Sequence, residues 1–341
     1  MSGFSSVYLD TRLTVLARRL ISFEQLIAFI ELDLEQILER VRQHTGYDYA
    51  VDHSNPRLIE GQLTNHALDE FLVLIRPFSG SERRFLQFAI RWFELVNLKV
   101  LIRGKFNAID SAVIEQQLID LRRFADLPIK QLLETDDPYE MLRLLETTAY
   151  GGIVRHARRM YEEHGNDLFL LDATIDRSFF IDLHHHARFL GSEDAENVGR
   201  VMGGLLDRFN LLWLLRYRFS YGLSPARSFY LLTKTGNRLH STQLLRLARL
   251  DSIDEVVAAL PRQYRQLLAD VRSISDMETV MEYYSLSLAA RALHELPNLL
   301  SRTFAYIVLR EAEVRFLQAL IKGKQLGFET DLIRQAVGAR A

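Results

Sequence analysis

Residues 94–105 read Glu94-Leu95-Val96-Asn97-Leu98-Lys99-Val100-Leu101-Ile102-Arg103-Gly104-Lys105, and this stretch decides the fold because it recurs at residues 207–218 and 313–324. Six of its twelve columns keep their chemical class in all three copies. The acids are Glu94, Asp207 and Glu313; the apolar columns are Leu98/Leu211/Leu317, Leu101/Leu214/Leu320 and Ile102/Leu215/Ile321; the cations are Arg103/Arg216/Lys322 and Lys105/Arg218/Lys324. Asn97 and Asn210 share a further column, which Phe316 breaks. Internal similarity of this kind sets the architecture of a chain.

A helix-start signal lies upstream of each copy. A short polar residue that can cap a helix is followed three positions later by Gln or Glu, which is the capping-box pattern. The pairs are Asp33 with Gln36, Asp137 with Glu140, and Ser252 with Glu255, and each leads to a tyrosine at Tyr47, Tyr150 or Tyr264. The distance from cap to acid is 61 residues (33 to 94), 70 (137 to 207) and 61 (252 to 313). The sequence therefore predicts one helical unit used three times, over residues 1–130, 131–245 and 246–341.

Composition limits the class of protein. Apolar residues make up 48% and charged residues 25% of the 341, which is typical of a globular chain with a sizeable core. The net charge of −2 gives no general attraction to nucleic acid, and the absence of cysteine excludes disulfides and thiolate chemistry. No stretch alternates with period two as a strand would, so we expect an all-α fold. We expect neither a signal peptide nor a transmembrane segment, because charges interrupt every apolar run.

Several helices can be bounded from apolar spacing. Apolar residues three or four apart predict one helix over residues 8–30 and one long, mostly apolar helix over residues 82–105. The latter should be the buried centre of its unit. Pro297 suits the first turn of the last long helix, and the tail 328–341 resembles the start of a further unit.

Side chains that might carry chemistry have simpler explanations. Asp182 with His184-His185-His186 offers two ligands one helical turn apart, but a zinc site needs three or four, so a solvated helix face is the simpler interpretation. Arg155, Arg158 and Arg159 are explained by ion pairs with Glu162 and Glu163. No phosphate-binding loop and no hydrolase nucleophile motif occurs. We therefore expect no catalytic, cofactor-binding or metal-binding residues.

The three acids of the repeat are the polar positions of most interest. A buried carboxylate has to be paired or hydrogen-bonded. Asn97 and Asn210 lie three residues after an acid, and Arg91 and Arg310 lie three residues before one, so each can join its network; the second copy has Gly204 instead. We expect a structural role for the repeat-signature residues, which are Glu94, Asn97, Arg103, Asp207, Asn210, Arg216, Glu313 and Lys322.

The signature, its threefold use and the Thr-x-Tyr segment after the cap resemble the family of C subunits of archaeal and bacterial A/V-type (V-type) rotary ATPases, whose eukaryotic relative is the d subunit. The resemblance covers essentially the whole chain. Phe316 and Gly204 depart from the pattern, so a strict symmetry of the polar network is not expected. The resemblance implies three helical units, related by a pseudo-threefold axis, that form a funnel-shaped toroid.

The resemblance also implies a function. A protein of this kind is non-catalytic, carries no cofactor, and links the central shaft to the membrane-embedded rotor ring at the cytoplasmic face. It couples ATP hydrolysis or synthesis to ion transport and is held at the membrane by protein contacts. Two other classes stay open at this point: a helical-repeat scaffold for other partners, which favours repeats of about 33–47 residues, and a metalloprotein built on residues 184–186.

Overall fold

The computed structural model describes residues 3–49, 57–121, 124–163 and 168–338. Within these ranges the regular structure is helical, with no strand, which confirms the all-α prediction. In chain order the α-helices are α1 (Gly3–Ala17), α2 (Phe23–Ala28), α3 (Leu34–Thr45), α4 (Arg57–Ile75), α5 (Gly80–Ala89), α6 (Trp92–Phe106), α7 (Ser111–Glu115), α8 (Ile129–Glu134), α9 (Pro138–Leu145), α10 (Gly151–Glu163), α11 (Leu168–Ala187), α12 (Ser192–Leu215), α13 (Pro225–Tyr230), α14 (Ser241–Ala248), α15 (Ile253–Ala259), α16 (Arg262–Leu267), α17 (Ile274–Glu295), α18 (Leu299–Gln325) and α19 (Thr330–Ala336).

The chain packs as two compact units. The smaller unit is residues 84–188, and the larger unit combines residues 1–83 with residues 189–341. The larger unit therefore joins the beginning of the chain to its second and third signature copies. The threefold division at residues 130 and 245 stays a prediction about the sequence repeat.

Each signature helix packs against the long helix that precedes the next signature. In the smaller unit α6 contacts α11, and in the larger unit α12 contacts α17. The third signature helix, α18, contacts α4, the long helix of the first repeat. The nine side chains of the three apolar columns have no solvent exposure: Leu98, Leu101, Ile102, Leu211, Leu214, Leu215, Leu317, Leu320 and Ile321. The repeated columns are therefore the core positions.

The three predicted helix starts are confirmed. Asp33 accepts a hydrogen bond from the Gln36 N–H at 2.8 Å and Gln36 returns one at 3.1 Å, which completes a capping box. Asp137 accepts from the Tyr139 N–H at 3.0 Å, and Ser252 accepts from the Glu255 N–H at 3.2 Å. These caps satisfy backbone N–H groups that a helix leaves unpaired at its start.

Two of the predicted long helices are wrong. Residues 8–30 form α1 and α2, because Ser22 and Gln25 make a further capping box that starts a new helix. Residues 82–105 belong to α5 and α6, separated at Ile90 and Arg91, where three-residue hydrogen bonds such as Arg91 N–H to Phe88 C=O replace the four-residue ladder. No proline or glycine marks that kink. Pro297 also lies outside the last helix, since Asn298 is its cap.

A close glycine–isoleucine contact lies at the end of the first and third signature helices. A Cβ at Gly104 would lie 2.6 Å from Cδ1 of Ile114, and one at Gly323 would lie 2.8 Å from Cγ1 of Ile333, so each isoleucine fills the space that its glycine leaves. In the second copy the large residue, Tyr217, stands at the glycine column, and a small residue, Ser228, lies near the isoleucine column. Ser228 follows eleven rather than ten residues later, and both residues are fully buried. The extra residue matches the π-helical segment Arg216–Ser220, which takes up one more residue per turn.

Gly323→Ala tests this packing. Alanine favours a helix over glycine by about 1 kcal/mol, but overpacking against Ile333 costs about 1–3 kcal/mol, so we expect a net loss of stability. Gly199→Ala is the matched control, because no atom lies within 4 Å of a Cβ at that helical glycine. Urea unfolding should show Gly199→Ala as stable as wild type or more so. A stabilised Gly323→Ala variant would contradict the close contact.

Candidate functional site

The three acids of the repeat are buried in separate hydrogen-bond networks. Glu94 is 2% exposed, Asp207 0% and Glu313 3%, and the asparagines Asn97 and Asn210 are buried as well. The eight repeat-signature residues are therefore not gathered into one site. Each acid has its own set of partners. Glu94 and Asp207 bond to the backbone of the segment after their helix and to a tyrosine of the next repeat, and Glu313 bonds to Ile21 and Arg310.

Glu94 is held by the segment that follows its own helix. Its Oε1 accepts from the N–H groups of Asp126 at 2.5 Å and Leu127 at 2.7 Å. Its Oε2 accepts from the hydroxyl of Tyr150. Arg91 does not pair with Glu94 as expected but with Asp126, at 2.9 Å. Tyr150 is the tyrosine that follows the Asp137 cap, so the first signature is fastened to the second repeat.

Asp207 repeats this arrangement in the larger unit. It accepts from three successive N–H groups, those of Asn237 (3.0 Å), Arg238 (2.8 Å) and Leu239 (3.0 Å). The Tyr264 hydroxyl donates to its Oδ2 at 2.6 Å. Tyr264 follows the Ser252 cap as Tyr150 follows the Asp137 cap, so the second signature is fastened to the third repeat.

Glu313 lies in the last repeat and bonds to the beginning of the chain. Its Oε2 accepts from the Ile21 N–H at 3.1 Å, and its Oε1 accepts from Arg310 at 2.5 Å, as the sequence suggested for that pair. Ile21 precedes the Asp33 cap by twelve residues, as Leu127 precedes Asp137 by ten and Leu239 precedes Ser252 by thirteen. The N-terminal segment therefore takes the place that the segment before the next cap takes at the other two acids.

Glu70 on α4 completes the third network, and sequence reasoning missed it. Arg310 donates from Nε to Glu70 at 3.0 Å, so one fully buried guanidinium bridges two carboxylates. The hydroxyls of Tyr306 and Tyr47 also donate to Glu70, at 2.7 Å and 2.9 Å. Tyr47 is the tyrosine that follows the Asp33 cap. It therefore corresponds to Tyr150 and Tyr264, but it donates to Glu70 and is connected to Glu313 only through Arg310.

The asparagine column fastens the segment after each signature helix. Asn97 exchanges two hydrogen bonds with the backbone of Ile119, at 2.7 and 2.8 Å, rather than joining the Glu94 network. Asn210 accepts from the Thr233 N–H at 2.9 Å and from its hydroxyl at 2.8 Å. Phe316 stands at this column in the third copy, and Phe23 from the N-terminal segment packs against it with ring centroids 5.9 Å apart. At this column an aromatic contact takes the place of the amide hydrogen bonds.

The cations that close the signature tie it to the next repeat. Arg103 pairs with Asp172, and Arg216 pairs with Glu278 at 2.6 Å; each acid lies 35 residues before the next signature acid (172 to 207, 278 to 313). Lys105 and Arg218 donate to the backbone carbonyls of Thr135 at 2.6 Å and Leu250 at 3.1 Å, both two residues before a cap. Lys322 is exposed.

Burial dominates the electrostatics of the three acids. It raises the pKa of Glu94 and of Asp207, although the tyrosine hydroxyl and the backbone N–H groups act against that rise. Burial also raises the pKa of Glu313 to about 7, against the opposing effects of Arg310 and the Ile21 N–H. Burial and Glu70 together raise the pKa of Tyr47 to about 12.

Comparison with known proteins identifies the family of the chain. The family described as ATP synthase (C/AC39) subunit matches residues 9–336. The chain belongs to this family. Its relatives include proteins named as the C subunit of an A-type ATP synthase: one from Halorubrum lacusprofundi is 28% identical over 82% of this chain and 81% of its own length. Those from Methanosarcina mazei and Methanocaldococcus jannaschii are 24% and 25% identical over 96% of this chain, and 91% and 84% of their own lengths.

As a member of the C/AC39 family, the chain is a non-catalytic component of a rotary ATPase complex. The networks suit that role, because every oxygen of the three carboxylates accepts a hydrogen bond from the protein itself. Such acids hold segments together and present no free carboxylate to a substrate.

The other candidate sites give no support for chemistry. Among the described residues, no group of three or more His, Asp or Glu side chains is placed to hold a metal ion. Arg158 pairs with Glu162 at 3.2 Å and also with Glu146 at 2.8 Å. None of the described helices is both long enough and apolar enough to cross a membrane.

Removing the acid tests whether each network holds the fold. We expect Glu94→Ala and Asp207→Ala each to lower the free energy of unfolding by about 1–3 kcal/mol, since the buried N–H and hydroxyl partners lose their acceptor. Glu115→Ala, at an exposed acid on α7, should stay within about 0.5 kcal/mol of wild type. Denaturant unfolding of the three variants checks this, and equal stability of all three would contradict a fastening role.

Glu313 should give the stability a distinct pH dependence. Its pKa is about 7 in the folded chain, against an ordinary value of 4.5, so the folded state binds the proton more tightly than the unfolded state. Its contribution to stability is therefore greatest below about pH 4.5 and is lost as the pH rises through about 7. Glu313 also lines a cavity of about 660 Å³ beside Phe23 and Phe316, through which protons can reach it.

Urea unfolding of wild type and Glu313→Gln at several pH values measures this contribution. The free energy of unfolding of wild type minus that of the variant should fall as the pH rises from about 4.5 to about 7 and then level off, because the titrations of groups that do not interact with Glu313 cancel. Glu115→Gln is the control and should give a flat difference. A difference that stays flat or rises for Glu313→Gln would contradict the raised pKa.

Proposed function

We propose that this chain is the central-stalk component that links the rotating shaft of an A/V-type ATPase or ATP synthase to its membrane-embedded rotor ring. The proposal rests on membership of the C/AC39 family and on archaeal relatives named as the C subunit of an A-type ATP synthase. In this role the protein transmits torque and thereby couples ATP hydrolysis or synthesis to ion transport. It lies at the cytoplasmic face of the membrane and is held there by protein contacts.

The observation that carries the proposal is the set of three buried acid networks. The first two fasten a signature helix to the segment after it and, through a tyrosine, to the next repeat. The third fastens α18 to the N-terminal segment through Glu313 and Ile21. A chain closed in this way resists shear, because sliding any helix leaves a buried carboxylate and its donors unpaired. We infer that the three units, 1–130, 131–245 and 246–341, form the funnel-shaped toroid that the family resemblance implies.

Removal of the chain tests the coupling role. In membranes that lack it, the catalytic head should still hydrolyse ATP, because the nucleotide sites lie on other subunits. ATP-driven ion gradients should vanish, because the shaft then turns without gripping the ring. Hydrolysis and gradient formation are assayed in parallel, and adding back purified wild-type chain should restore the gradient. Normal gradients without the chain would exclude the proposal.

Tyrosine variants test whether the acid networks bear the load. Tyr150→Phe and Tyr264→Phe each remove one hydrogen bond to a buried acid and keep the ring, so the chain should still fold and bind. A double variant that carries both substitutions, added back to the membranes, should restore less ion gradient per ATP hydrolysed than wild type. Tyr283→Phe, at an exposed tyrosine, is the matched control and should restore coupling fully. Full coupling by the double variant would show that the networks do not limit torque transmission.

A further inference from the structure

Each signature helix ends in a turn of the same construction. The backbone turns into the left-handed region at Ala108 (φ 52°), Gly222 (φ 63°) and Gly327 (φ 68°). The next residue donates its N–H back to the helix: Ile109 to Gly104 C=O at 2.9 Å, Phe328 to Gly323 C=O at 3.0 Å, and Leu223 to Tyr217 C=O at 2.8 Å. These are C-cap turns that stop a helix. We call residues 107–113, 220–230 and 326–332 the three signature turns.

The signature turns expose apolar side chains at matching columns. Ile109 (39% exposed) and Phe328 (47%) both lie fifteen residues after their signature acid, and Val113 (43%) and Leu332 (49%) both lie nineteen after it. Leu326 (58%) adds to the third turn, and the second turn exposes two aromatic side chains, Tyr221 (45%) and Tyr230 (53%). In the first and third turns the buried isoleucine of the glycine contact follows directly, at Ile114 and Ile333.

This distribution is not that of scattered surface residues. Single exposed apolar side chains are ordinary and carry no inference. Here, however, seven of the thirteen large apolar side chains that are exposed in the described part of the chain lie in three short turns. Two of the turns repeat the same exposed columns in different units of the structure. At Val113 and Leu332 the contact with the helix is made by the buried isoleucine at the next position, Ile114 or Ile333.

Charge on the first and third turns indicates what they bind, whereas the second turn carries Arg227 and no acid. Asp110 lies between Ile109 and Val113 and accepts from the Ala112 N–H at 2.8 Å, and Glu329 occupies the same column between Phe328 and Leu332. Asp331 adds a second exposed acid to the third turn. An acid between apolar side chains repels an anionic lipid surface and fits a protein groove that has a basic residue at its rim.

We propose that each signature turn docks onto the membrane-embedded rotor ring through its exposed apolar side chains, the first and the third in grooves of the ring flanked by Lys or Arg. This inference rests on the proposed function. A motif used three times fits a partner that itself repeats, and a ring of like protomers repeats its grooves whereas a single shaft does not. Apolar anchors within a polar rim are the usual anatomy of such an interface.

A rebinding assay tests the proposal with the full chain. Membranes are stripped of this chain and of the catalytic head so that the ring remains, and purified chain is added back. The test variant combines Ile109→Asp with Phe328→Asp, and the matched control is Val7→Asp, at a residue 67% exposed on α1. Both should unfold at the wild-type temperature, because the altered residues are exposed. The control should rebind as wild type does, and the test variant at least tenfold more weakly, as expected for interface anchors.

A charge reversal gives an independent readout. A variant with Asp110→Lys and Glu329→Lys keeps the apolar residues but places positive charges against the proposed basic rim. Its affinity for the stripped membranes should also fall, by more at low salt than at high salt. The Ile109→Asp and Phe328→Asp variant adds acids and should lose affinity at every salt concentration. Affinity that rises on charge reversal would overturn the assignment of a basic protein groove.

The remaining outcomes separate the partners. Unchanged rebinding of the Ile109→Asp and Phe328→Asp variant would overturn the docking surface and leave the proposed function intact, whereas wild-type chain that never rebinds would remove the proposed function itself. Equal binding of wild type to protein-free vesicles of phosphatidylcholine and phosphatidylglycerol would make the turns a lipid surface and overturn the proposal. Loss of binding to the isolated head with its shaft, but not to stripped membranes, would assign the turns to the shaft and likewise overturn it.

Discussion

The fold depends on one requirement: a carboxylate buried on a signature helix needs hydrogen-bond donors, and the helix cannot supply them because its own N–H groups are already used. Glu94 and Asp207 obtain them from the backbone of the segment that follows and from a tyrosine in the next repeat. The acid therefore determines the path of the chain beyond its helix. The apolar columns would bury equally well against many partners, whereas a carboxylate with three or four donors accepts only one arrangement.

The third acid shows how the constraint is met where the repeat ends. Glu313 takes one N–H from Ile21, and Arg310 replaces the missing donors. A buried guanidinium then needs a second carboxylate, which Glu70 supplies. Burial alone would lower the pKa of Arg310, but Glu313 and Glu70 outweigh it and raise the value. Joining the two ends of the chain thus requires a charged cluster, whose titration differs from that of the neutral tyrosine contacts at the other two acids.

The sequence predicted the helices, the three caps and the buried columns, because periodicity and capping are local signals. It also singled out the acids and the tyrosines after the caps, although it did not connect them: Glu94 and Tyr150 are 56 residues apart, and no local pattern reports a contact at that distance. Glu70 was missed because it has no counterpart in the other repeats, where Leu183 and Ala289 stand 24 residues before the signature acid. The kink at Ile90 and Arg91 was missed because neither proline nor glycine marks it. The correspondence of Tyr217 and Ser228 with the glycine and isoleucine columns was missed because the π-helical segment shifts Ser228 by one residue.

Buried polar networks of this kind seldom maximise stability, since apolar side chains of similar volume often hold a fold as well or better. Their advantage is uniqueness. An apolar seam between helices can slide by a residue at modest cost, but a slide at Asp207 would leave four donors and a carboxylate unpaired in the interior. In the proposed role, the transmission of torque between two partners, resistance to sliding matters more than total stability, because any slip within the protein is rotation that is not passed on. The repeat thus places its buried acid networks between packed segments and its exposed apolar residues on the signature turns, where a partner can bind.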